Sequence, residues 1–175
     1  LLVGAVLPAE YGIDPLGIGK ATGSSKLYVG EANTEMLASG PHKILQLENV
    51  GSGAEVPKPA AAGNPAPATQ LAERTDEVNV VIPAGKGLEY KVDMLKHGNL
   101  RYEWITDKGE LYFDFHGEVK NNSNYFESYT IAYSNNMVGS LLAPFEGPQG
   151  WYFKNNSNED ITVKIRMKGQ YLLKQ

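Results

Sequence analysis

From Val78 onward the chain alternates apolar and polar residues with a period of two. Leu88, Tyr90, Val92 and Met94 interleave with Glu89, Lys91 and Asp93, and Leu100, Tyr102 and Trp104 with Arg101 and Glu103. Leu111, Phe113 and Phe115 interleave with Tyr112, Asp114 and His116, and Tyr129, Ile131 and Tyr133 with Thr130 and Ala132. The last long run is Ile161, Val163, Ile165 and Met167 against Thr162, Lys164, Arg166 and Lys168. This period predicts strands with one buried and one solvated face. Turn-forming runs separate them at 83–87, 97–99, 107–109, 121–124 and 155–160. With Val78–Ile82, Val138–Leu142, Trp151–Lys154 and Gln170–Leu173 the count reaches eight or nine short strands, and no run predicts a helix of ten residues. The expected fold is an all-β antiparallel sandwich of about eight strands over residues 76–175.

The stretch before it reads differently. Residues 51–70 alternate Pro with Ala and Gly, which removes amide donors and favours extended conformations, so 51–75 is expected to be a semi-rigid linker. Residues 12–50 are rich in Gly and Ser without sustained periodicity. Their Gly17-Ile18-Gly19-Lys20-Ala21-Thr22-Gly23 run lacks the spacing of a phosphate loop and any preceding strand, and reads as flexible backbone. Leu1–Leu7 is apolar but far shorter than the roughly 20 residues a helix needs to cross a bilayer. It fits either a short apolar start or the end of a transmembrane helix, with Pro8, Glu10 and Tyr11 marking the exit within residues 1–11.

Composition sharpens the partition. Residues 1–75 hold 2 of the 17 aromatics and 7 of the 10 prolines, so the core-forming material lies in the second part. Each part carries a net charge of −2, without a basic stripe, which speaks against a nucleic-acid partner. Cysteine is absent, which removes disulfides, thiolate nucleophiles and thiolate metal sites. The three histidines have no Gly-x-Ser-x-Gly elbow to serve, and no Gly-rich loop joins a strand to a helix. No catalytic residue and no enzymatic activity are expected.

Two sets of residues carry candidate chemistry. Asp114, His116 and Glu118 project from one face of one strand, about 7 Å apart in successive pairs. Imidazole and carboxylate suit zinc or another borderline divalent ion, and Gly117 offers a bulge that would bring Glu118 closer. The competing reading is a solvated face whose acids pair with Lys or Arg across the sheet. Tyr112 and Tyr152 alternate against Phe113 and against Trp151 and Phe153, so they are expected to be exposed and to offer a partner surface, while both tryptophans go to the core.

Ile82-Pro83-Ala84-Gly85-Lys86 with Tyr90, then Gly150-Trp151-Tyr152-Phe153-Lys154-Asn155 and the strand Ile161–Met167, resemble the GOLD domain, an extracytoplasmic β-sandwich usually tethered to a membrane. Leu7-Pro8-Ala9-Glu10-Tyr11-Gly12-Ile13-Asp14-Pro15 and Phe113-Asp114-Phe115-His116-Gly117-Glu118 are similar to the bacterial "transmembrane anchor protein" family. The resemblance implies an N-terminal transmembrane helix, a membrane-proximal segment at 12–50, and a sandwich in the periplasm facing away from the inner membrane. It implies an accessory or adaptor subunit bound to an integral membrane protein or complex, and it supplies no catalytic residue. No cofactor is expected on this reading. The alternative is a periplasmic divalent-metal module using Asp114, His116 and Glu118.

Overall fold

The computed structural model describes Asp14, residues 17–22 and residues 51–174. The chain divides into two units, residues 1–46 and 47–175. In the first, Ile18–Thr22 forms a single helical turn, α1. The Asp14 carboxylate accepts a hydrogen bond from the Lys20 amide at 2.9 Å. The glycine-rich run expected to be flexible backbone is therefore helical over these five residues, held by a local side-chain cap. The expected stub at 1–11 and most of the 12–50 segment lie outside the described residues. Among the described residues no helix is long and apolar enough to cross a membrane.

Among its described residues the second unit has nine strands: β1 Glu73–Ile82, β2 Gly87–Met94, β3 Asn99–Thr106, β4 Leu111–Val119, β5 Asn122–Ser134, β6 Asn136–Leu142, β7 Gly147–Lys154, β8 Ile161–Gln170 and β9 Leu172–Leu173. They form two antiparallel sheets, ordered β1-β8-β3-β6 and β5-β4-β7-β2-β9. Strand pairing is nested along the chain: β1 with β8, β2 with β7, β3 with β6 and β4 with β5. Successive nested pairs fall into opposite sheets, so one long hairpin rolls into the double-sheet arrangement of a jelly roll. The expected antiparallel sandwich is the observed architecture.

Between the sheets the apolar phase of each alternation closes into one core. Phe115 stacks on Trp151 at 4.8 Å, and Trp104 meets Phe113 and Phe153 edge-on at 5.2 and 5.3 Å. Both tryptophans are buried, as their register predicts. One boundary moved. The Asn121–Asn124 run, expected as a turn, is mostly strand. Asn121 alone takes a left-handed conformation (φ 62°), which closes the hairpin tightly and releases Asn122 to begin β5.

Residues 51–70 run against the sandwich as a strap. Ser52 donates its amide to the Phe126 carbonyl at 3.0 Å, and its hydroxyl accepts from the Phe126 amide at 2.7 Å. Lys58 pairs with Glu127 at 2.6 Å. A short 3-10 turn, Ala60–Gly63, buries Ala62 against Val119 and Phe145 in a second, smaller cluster. The Lys96 ammonium then donates to the carbonyls of Ala62 and Asn64 at 3.3 and 2.6 Å. Alternating proline explains the extended path, but the stretch is fastened rather than free. β1 begins at Glu73, within the expected linker.

Candidate functional site

The five-stranded sheet turns one face to the core and the other outward. On β4 the outward phase is Tyr112, Asp114, His116 and Glu118, opposite core-facing Phe113 and Phe115. Two strands away, β2 turns Glu89 and Lys91 to the same side. The intervening β7 places Gly150 level with both His116 and Lys91. A glycine there leaves the row without a central side chain, so groups from β4 and β2 can meet above it. Any Cβ at Gly150 would lie 2.1 Å from the Tyr90 carbonyl oxygen, so the close approach of β2 requires glycine.

The result is a pocket of about 300 Å3, lined by Glu89, Tyr112, Asp114, His116, Glu118, Ser123, Phe126 and Tyr152. The residues expected to bind a partner and those expected to bind a metal thus line one cavity.

Three ionisable groups in or beside it are buried although they lie on an outer face. The side chains of Lys91, His116 and Asp114 are 4%, 5% and 7% exposed. Lys91 Nζ bridges two carboxylates, 2.9 Å from Glu89 Oε2 and in contact with Glu118 Oε1. His116 Nε2 stands 3.5 Å from Glu89 Oε1. Its Nδ1 lies 3.1 Å from the Asp114 carbonyl. A carbonyl only accepts, so Nδ1 carries a proton. Phe126 packs edge-on against the ring at 5.3 Å.

Asp114 differs from its neighbours. Its Oδ2 accepts a hydrogen bond from the Ser128 hydroxyl at 2.9 Å. Its Oδ1 is buried and receives no hydrogen bond from the described residues, with His116 Nδ1 3.7 Å away. Burial pushes the Asp114 carboxyl upward, partly opposed by the Ser128 bond. The Glu89 carboxyl goes the other way, to about 2, chiefly through its bond to His116 and also through Lys91.

The two candidate sets sit differently from expectation. Tyr112, expected to be exposed, is 1% exposed, because Tyr133 on β5 and Tyr152 on β7 flank its ring at 5.4 and 6.4 Å. Tyr152 is half-buried at the pocket wall. The trio whose ligand atoms lie within 4.8 Å of one another is Glu89, His116 and Glu118, with Glu89 in the place expected for Asp114. Gly117 does not bulge toward the site. The register shift next to His116 falls on β5, and the space over Gly117 holds the Gln149 amide and the Tyr129 hydroxyl, hydrogen-bonded at 2.7 Å.

Glu89 and Lys91 went unread as site residues because they share a plain alternating run with the rest of β2. The relevant signal was Gly150: a glycine in a buried strand that lets its two neighbours come together across it.

No family model matches the chain, and no curated protein matches it. Two solved structures align over nearly their full length. A de novo designed double-stranded β-helix solved by solution NMR is 22% identical, covers 53% of this chain and 97% of its own, and has a TM-score of 0.35. A structure titled as Bacillus endospore appendages, a novel family of disulfide-linked pili, is 12% identical, covers 63% and 97%, and has a TM-score of 0.36.

Proposed function

We propose that this chain is a non-catalytic binding module that uses the outer-face pocket, and that it serves as a membrane-anchored adaptor or accessory subunit. The observation that carries the reading is the burial of Lys91, Asp114 and His116 on a face the core does not use. Burying ionisable groups is costly, and such clusters gather where a protein binds or reacts rather than where it packs. Tyr152 and Phe126 add aromatic contact area at the same place. The Ser128 hydroxyl is committed to Asp114, so this serine is not offered to His116 as a nucleophile. The anchoring half of the proposal rests on the opening residues and their resemblance, as does placement of the sandwich in the periplasm at the bacterial inner membrane.

The test is co-purification from native membranes with the wild type and with Tyr152→Ala. Loss of specific membrane-protein partners from the variant, with an unchanged melting temperature, supports the pocket as the binding surface. An identical set of co-purifying chains sinks it.

A second reading is favoured by one geometric fact. With Nδ1 protonated and tied to a backbone carbonyl, His116 presents Nε2 outward, the usual arrangement of a metal-ligating histidine. Glu89 and Glu118 stand close enough to complete a divalent-metal set. In this reading Asp114 orients the imidazole through its carbonyl instead of ligating.

A further inference from the structure

We infer that Lys91 is the resident cation of a divalent-metal site built from Glu89, His116 and Glu118, and that a metal enters only as the ammonium leaves. The inference rests on the metal reading above and specifies how that site is regulated. Three carboxylates face the pocket, and Lys91 is bonded to two of them, with Nζ between Glu89 and Glu118. An ammonium in that position takes the place a metal would need, and its charge opposes a divalent ion over a short distance.

The groups around the ammonium already have the form of a metal set. With His116 Nδ1 held on the Asp114 carbonyl, Nε2 is turned toward Glu89 Oε1 at 3.5 Å, and the ligand atoms of Glu89, His116 and Glu118 lie within 4.8 Å of one another. Beside them Asp114 Oδ1, on the pocket wall, is buried with no hydrogen-bond donor among the described residues. A divalent ion in place of the ammonium would answer both carboxylates and take Nε2 as its third ligand. The donor set of one imidazole and two carboxylates suits a borderline ion such as zinc. Lysine also suits a gate, because a compact charge on a flexible four-carbon stem can swing aside while its backbone stays in β2.

Zinc alone is the probe, titrated calorimetrically at neutral pH into the full chain, with thermal melting in parallel. Lys91→Met is expected to bind zinc about tenfold more tightly than the wild type. It should melt lower in metal-free buffer and regain more of its melting temperature with zinc than the wild type does. His116→Ala should abolish binding in both backgrounds. If Lys91→Met does not fold, Lys91→Gln makes the same comparison. Equal affinity of wild type and variant leaves the metal site standing and overturns the gate. Absence of zinc binding and of any melting shift in every protein overturns the metal reading and the gate together. Binding that survives His116→Ala overturns the assigned site.

Discussion

The two outward faces of the sandwich arise from the same alternation and differ in what covers them. On the four-stranded sheet Glu77, Arg166 and Glu103 stand directly opposite one another on β1, β8 and β3. Arg166 pairs with both acids at 2.7 and 2.9 Å, flanked by Lys164 with Glu77 and Lys168 with Glu73, and all these side chains are exposed. On the five-stranded sheet the comparable row is Lys91, Gly150 and His116, and its two ionisable side chains are buried. Exposed ladders of this kind add little stability and are screened by salt. Buried ones cost desolvation and hold only while every partner is in place. An alternating pattern therefore marks a strand, and the burial of its polar phase marks a site.

The contrast is broken most directly at the two central cations. Lys91→Ala leaves Glu89 and Glu118 facing each other without a counter-charge. We expect a loss of about 3 kcal/mol in denaturant unfolding, the low end for a broken buried pair because Glu89 is half-exposed. Arg166→Ala, in the middle of the exposed ladder, is expected to leave the unfolding midpoint within experimental scatter. Equal losses from the two substitutions would erase the distinction between the faces.

Gly150→Ala asks whether the empty centre of the buried row matters. The added methyl group meets the Tyr90 carbonyl and, at 2.7 Å, the Lys91 Cα, both backbone atoms that cannot move aside without parting β2 from β7. The expected cost is about 2 kcal/mol. Hydrogen exchange of the β2 amides should quicken relative to those of β1, and unchanged β2 protection would refute the assignment of Gly150 as the point of closest approach.

Acid titration gives the smallest effect and sharpens the comparison by sign. Glu89, lowered from 4.5 to about 2, contributes stability that is complete above pH 4.5 and is lost as the pH falls toward 2. Asp114 is shifted upward, so protonation there favours the folded state and works in the opposite direction. Glu89→Gln should flatten the acid limb of the stability profile below pH 4.5. Glu77, lowered by Arg166 and Lys164 on the open face, should show a weaker version that high salt removes. Superimposable acid limbs for the wild type and Glu89→Gln would count against the buried network.

The sandwich was legible because nearly every strand declares its inner face by alternation, and Trp104 took the core position that Leu100 and Tyr102 share. Nested pairing was not legible. Period two shows which way a side chain points and says nothing about which strand lies beside it. The same limit governed the pocket. Asp114, His116 and Glu118 were visible as one face of one strand, whereas Glu89 and Lys91 join them from β2 only because the roll-up places β7 between. Tyr112 misled for a related reason: its outward direction was right, but the rings that cover it belong to β5 and β7. The Pro-Ala stretch announced an extended path, and nothing in its composition announced that Ala62 would fit between Val119 and Phe145.

That strap also decides where tension enters the domain. A pull transmitted along the chain to residue 51 is met first by the Ser52 bonds to Phe126 and then by the Lys58 pair with Glu127, all of them seated on β5. Next it reaches Lys96, which grips the carbonyls of Ala62 and Asn64. Only after these fastenings give way does the load arrive at Glu73, where β1 is laced to β8 along ten consecutive residue pairs. On this order of attachment the strap would act as a strain relief, its own fastenings yielding to a pull before the β1–β8 ladder does.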